Sequence, residues 1–251
     1  KGFGVSVFGG SPVETNNDLA ENRTIYGGRI SHQDEGLYTI GVSYLDEDKK
    51  NNSGSKNDKI WRREGGIDLW VRPLSKVELT GRSSFNFQTV GWMVHSYYLM
   101  FGPFDKLRVN AEATWINYED YFASTTSSVL KLTPGGFLDP KEQVNILGPE
   151  LFYAINDKWA VSADYKKYTY EIAGSASYYG AKATYAMPKS YSAGISLHKM
   201  EGETDRLKYD EYRVYASKKI DKIDVAVDVL DVKYKEPINK VSDATSVTLA
   251  T

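Results

Sequence analysis

Residues 105–117, DKLRVNAEATWIN, alternate almost without fault. Leu107, Val109, Ala111, Ala113 and Trp115 fall on one side, and Arg108, Asn110, Glu112 and Thr114 on the other. Successive side chains of a strand point to opposite faces, so this spacing predicts a β-strand with one apolar and one charged face. The pattern recurs along the chain. Ile67, Leu69 and Val71 alternate with Asp68, Trp70 and Arg72, and Val77, Leu79 and Gly81 with Glu78, Thr80 and Arg82. Trp159, Val161, Ala163 and Tyr165 alternate with Ser162, Asp164 and Lys166. Tyr191, Ala193, Ile195 and Leu197 alternate with Ser192, Gly194, Ser196 and His198, and Ile223, Val225, Val227 and Val229 with Asp224, Ala226 and Asp228.

Alternation, bounded by Gly, Pro, Asn and Asp, predicts about fourteen strands. They fall at 2–9, 24–31, 36–45, 61–72, 76–87, 90–101, 106–118, 143–154, 159–170, 174–186, 190–200, 207–219, 222–235 and 243–251. Most match the roughly 9–11 residues that a tilted strand needs to cross a bilayer and exceed the usual 5–6 of a globular sheet. Tight connections at 32–36, 72–76, 102–106, 155–158, 187–190 and 219–222 alternate with longer ones at 11–23, 46–58 and 119–141, although those at 86–89 and 172–175 are also short. Alternation slips at Lys166 and Lys167 and at Val229 and Leu230, which predicts either a β-bulge or the point where a strand leaves the membrane.

Composition narrows the setting. No apolar run approaches the roughly 18–20 residues of a spanning helix, so a membrane crossing requires a closed barrel. The mean hydropathy of −0.46 does not oppose this, because only half of each such strand meets lipid. Aromatic residues make up 13%, with 19 tyrosines, and these favour an interface that is apolar at one end and wet at the other. A net charge of −2 argues against nucleic acid as a partner. The absence of cysteine removes disulfides, thiolate metal sites and covalent haem attachment, so any haem must belong to a partner; no cofactor or metal of the chain's own is expected. No signal peptide is visible at Lys1, which suggests a processed or trimmed segment.

These strands, turns and loops resemble a Gram-negative outer-membrane β-barrel of the porin-like kind over essentially the whole chain. The resemblance is architectural and carries over no functional residue. It implies an all-β, transmembrane, antiparallel up-and-down barrel as a single domain over 1–251, in the bacterial outer membrane. Such barrels commonly finish on a terminal aromatic, whereas this chain stops at TSVTLAT, so either an unusual closure of the barrel or further strands in the complete protein is expected.

Within such a barrel Arg82, Arg108, Asn110, Glu112, Asp164, Lys166, Asp224 and Asp228 are candidate pore-lining residues. Leu107, Val109, Ala111, Ala113, Val161, Ala163, Val225 and Val227 are candidate lipid-facing residues, and Trp92, Trp115, Trp159, Tyr185 and Tyr191 candidate interface aromatics. Replacing Val109 or Ala111 by Arg should be costly and Asn110→Arg tolerated. The loop over 119–141, with the apolar stretch VLKLTPGGFL, is either a constriction or plug folded inward or a hairpin standing above the membrane.

Catalysis is not expected. His95 and Ser96 are adjacent on a strand and so face opposite sides, His32 falls in a turn, His198 near a strand end, and no metal or nucleophile motif occurs. The sequence therefore points to a channel for small hydrophilic solutes with weak charge selectivity, with the bilayer as its environment and homo-oligomers allowed. One alternative is a scaffold that sheathes a multihaem cytochrome or another luminal or periplasmic protein partner, and another is a surface all-β adhesin.

Overall fold

A computed structural model describes residues 1–11, 23–49, 59–123, 139, 141–187, 191–220, 223–238 and 240–250. Fourteen strands form one sheet in sequence order, and the neighbours whose register is resolved are antiparallel. They are β1 (Gly2–Gly10), β2 (Arg23–Asp34), β3 (Tyr38–Lys49), β4 (Lys59–Leu74), β5 (Val77–Asn86), β6 (Gly91–Phe104) and β7 (Leu107–Asn117). After the short helix α1 (Tyr118–Ala123) come β8 (Gln143–Ala154), β9 (Trp159–Tyr170), β10 (Gly174–Met187), β11 (Tyr191–Gly202), β12 (Tyr209–Ile220), β13 (Ile223–Ile238) and β14 (Val241–Ala250). A single 3₁₀ turn, Asp205–Leu207, lies between β11 and β12. Two compact units divide the chain, the first Lys1–Leu99 with Thr114–Gln143, the second Met100–Ala113 with Val144–Thr251.

All fourteen predicted strands are present, with ends displaced by up to four residues, as at β3, which runs Tyr38–Lys49 rather than 36–45. The two predicted phase breaks are not bulges. Pairing with β10 runs unbroken through Lys166 and Lys167, and pairing of β13 with both neighbours runs unbroken through Val229 and Leu230. Lys167 simply takes the outward phase three residues before β9 ends. Register shifts lie elsewhere, between Glu47 and Asp48, Val71 and Leu74, and Lys233 and Ile238.

Register turns the alternation of single strands into rows across the sheet, because residues directly opposite share a face. In the second unit one row reads Leu151, Ala163, Ala181, Leu197 and Tyr212, and the next Tyr153, Val161, Ala183, Ile195, Val214, Val229 and Val247. On the other face the rows read Glu150, Asp164, Gly180, His198 and Glu211, and Phe152, Ser162, Lys182, Ser196, Arg213 and Leu230. The first unit does the same, with Val5, Ile30, Val42 and Ile67 in one row and Gly4, Ser31, Gly41, Asp68 and Arg82 in a row opposite. Large apolar side chains of the first set are bare, Ile30 at 60% and Leu197 at 57% exposed. Contiguous apolar surface on this scale is rare on a protein surrounded by water and marks a face for lipid or a partner.

Candidate functional site: the polar face

In the second unit the polar face carries charges held by ion pairs, hydrogen bonds and aromatic rings. Arg108 lies over the Phe152 ring, 4.8 Å from its centroid, Asn110 Nδ2 donates to Glu150 at 2.8 Å, and Lys166 Nζ donates to Glu112 at 2.6 Å. These contacts put Arg108, Asn110 and Glu112 on the same face as Asp164 and Lys166, and leave Leu107, Val109, Ala111 and Ala113 on the alternate phase. His198 Nε2 sits 2.9 Å from Asp164 Oδ1, its Nδ1 is 3.7 Å from Glu211, and Tyr178 stacks on the imidazole. Arg213 forks onto Asp228, with Nε 2.9 Å from Oδ1. Arg82 lies opposite Asp68. Asp224 pairs with Lys219 in register, but its side chain lies outside the described residues.

Asp164 and His198 stand on β9 and β11, with β10 between them. Gly180 is the β10 residue of that row, and a Cβ there would collide with the imidazole. The empty position lets His198 lie flat across β10 and reach a carboxylate two strands away. The first unit repeats the device. Arg29 of β2 crosses Gly41 of β3 to reach Asp68 of β4 at 2.9 and 2.5 Å. Alternation does not single out Gly41 or Gly180, and it places His198 near a strand end, whereas His198 is well inside β11. The phase of His198 in YSAGISLHKM was the usable signal; its partner on β9 was not readable without register.

Asn110 departs from expectation. It is only 1% exposed and bonded to Glu150, so Asn110→Arg must displace packed neighbours and is not the tolerated change the alternation predicted.

The apolar face carries aromatic clusters and a few polar groups. Trp159, Tyr185 and Tyr191 pack together at the short-turn end of β9–β11, with centroids 4.8 and 5.5 Å apart and Tyr191 donating to the Tyr185 hydroxyl at 3.3 Å. Trp92 and Trp115 flank His95 at 4.8 and 5.3 Å. His95 does not pair with Ser96, which bonds Thr114 instead. Its Nδ1 lies 2.7 Å from Ser83 Oγ, and that hydroxyl is also 2.7 Å from the Tyr97 hydroxyl. Near the long-loop end, Asp46 receives hydrogen bonds from Arg63 and Tyr44, each at 2.7 Å.

Two loop segments fold onto the sheet. α1 opens the 119–141 loop, and Asn86 Nδ2, on the polar phase of β5, donates to Asp120 O at 3.0 Å; residues 124–138 and 140 lie outside the described residues. Between β11 and β12, Leu207 is buried against Ala176 and Met200, with Tyr168, Tyr170, Ala173, Tyr178 and Tyr209 packed around them. In that segment Lys208, 2.8 Å from Asp205, holds the Asp205 carboxyl below the usual carboxylate range. Among the described residues no group of three or more His, Cys, Asp or Glu is placed to hold a metal ion, and no helix is long and apolar enough to cross a membrane.

No protein-family model matches the chain, and no curated protein matches it in sequence. Solved structures do. The OmpF porin of Salmonella typhi, solved in complex with daunomycin, aligns over 98% of this chain and 94% of its own, at 10% identity and a TM-score of 0.50. An anion-selective porin from Comamonas acidovorans aligns over 99% and 96%, at 8% identity and a TM-score of 0.51. The chain thus has the fold of a porin-like outer-membrane β-barrel, built as an antiparallel up-and-down sheet.

Proposed function

We propose that the protein is an outer-membrane channel of the porin type, passing small hydrophilic solutes along its polar face with weak charge selectivity. The observation that supports this most is the division of the sheet into bare apolar rows and rows of paired charges. Apolar rows suit acyl chains, and a charged face on the same strands requires water or a polar partner. On this reading Arg82, Arg108, Glu112, Asp164, Lys166 and Asp228 line the aqueous path and the alternate residues meet lipid, with the two tryptophan and tyrosine clusters at the headgroup level.

Selectivity is weak because the charges come in opposite pairs. Lys166 faces Glu112, Arg213 faces Asp228, Arg29 faces Asp68 and Arg62 faces Glu64, so the local fields largely cancel within a Debye length of about 8 Å at physiological salt. Reconstitution in a planar bilayer tests this. The expected result is ohmic conductance with a reversal potential close to zero across a potassium chloride gradient. A barrel that inserts and never conducts removes the channel reading, and haem absorbance in material purified from the native membrane would replace it with the sheath.

A further inference from the structure

We infer that the segment joining β11 to β12, residues 203–208, is the element that sets the size limit of the aqueous path in the second unit, with Leu207 as its buried anchor. This rests on the polar face being that path. The face is charged or hydroxylated along most of its length, but next to the β11–β12 loop it changes character. Tyr178, Met200, Tyr209 and Tyr234 follow one another across β10 to β13 in a single row, and Tyr168 and Ala176 stand in the row beyond. Onto this shelf the 3₁₀ turn lays Leu207, which is 2% exposed.

The loop is fastened on both sides. Glu203 N donates to Ser175 O of β10 at 2.9 Å, and Lys235 N of β13 donates to Lys208 O at 3.0 Å. Arg206 reaches Glu236 of β13 at 3.0 Å. Residue 202 must be glycine for this to happen, because a Cβ there would overlap Leu207 Cβ and come within 3.0 Å of its carbonyl oxygen. A segment held at both flanks and inserted by its one apolar residue is not a solvated connection. It covers the aromatic shelf and stands Glu203, Thr204, Asp205 and Arg206 exposed above it, so it takes cross-section from the polar face, and the diameter of a passage limits what enters it.

Two substitutions release it by different routes. Leu207→Asp removes the apolar anchor, and Gly202→Val leaves the anchor intact but takes the space beneath it. Each variant is checked for folding by its heat-dependent shift in gel mobility and then measured in a planar bilayer beside the unaltered protein. Single-channel conductance is read together with the largest polyethylene glycol that enters. Both variants should conduct more and admit larger polymers than the unaltered protein. If either variant does not fold, replacing 204–207 by two glycines gives the same readout. An unaltered protein that conducts, with folded variants unchanged in conductance and polymer limit, overturns the assignment of the constriction to this loop. An unaltered protein and variants that are all silent overturn the channel reading, and this inference with it.

Discussion

Ser162 and Ala163 are neighbours on β9 with opposite fates, since Ser162 shares its row with Lys182 and Arg213 and Ala163 shares its row with Leu151 and Leu197. Ala163→Arg should cost roughly 2–4 kcal/mol if this position lies near the bilayer midplane, whereas Ser162→Arg adds one more charge to a charged face and should be nearly silent. Folding into liposomes measured by denaturant titration distinguishes them, and equal losses would count against the assignment of faces. Gly180 offers a second residue-scale test. Gly180→Val puts a branched side chain where the His198 ring lies, so the bond to Asp164 must break, leaving two half-buried polar groups without each other. The expected loss is about 1–3 kcal/mol, read by the same titration, and Gly180→Ala should give a smaller loss in the same direction.

At the scale of elements, β5 and β6 carry hydrogen-bonded polar groups on the apolar face. Ser83 is buried and sits between His95 and Tyr97. In hydrocarbon a polar side chain that loses its partner has no water to replace it, although measured values in membrane proteins are modest, averaging about 0.6 kcal/mol. Ser83→Ala should therefore destabilise the barrel by about 1 kcal/mol in bilayers, and His95→Phe, which removes the ring nitrogens and keeps the packing against Trp92 and Trp115, by less. Larger losses for His95→Phe would mean the imidazole has a further partner.

The sequence made each strand legible because each carries one apolar phase, and that is a local property of about ten residues. Partners across the sheet were not legible. Asp164 meets His198 and Ser83 meets His95 only once register is set, and register depends on loops whose lengths alone do not fix pairing. The same limit explains Asn110. Its polar phase was readable, but its burial against Glu150 was not. Nor did alternation reveal Leu207, which stood in the margin of a predicted strand and proved to be the anchor of a loop turned onto the polar face.

For the whole molecule, the division into apolar and charged rows is maintained in both units, and paired charges stand on the polar face of each. Conductance in a planar bilayer should therefore scale with bulk electrolyte, and the reversal potential should stay close to zero, because Lys166, Arg213, Arg29 and Arg62 are each answered by a neighbouring anion. Neutralising one partner, as in Asp228→Asn, should leave Arg213 uncompensated and shift the reversal potential toward anion preference. No shift in that variant would place Arg213 and Asp228 away from the conducting path.

Side chains that reach over a glycine to the second strand along act as braces against peeling. Arg29 to Asp68 ties β2 to β4 across β3, and His198 to Asp164 ties β11 to β9 across β10. A strand pulled from such a sheet cannot leave by opening one ladder alone; it must also tear a bond anchored beyond its neighbour. Under mechanical extraction from a bilayer, the force trace should show β2–β4 and β9–β11 resisting as three-strand blocks, and Gly41→Val, whose Cβ meets the Arg29 side chain and so breaks the brace, should divide the β2–β4 peak into smaller hairpin steps.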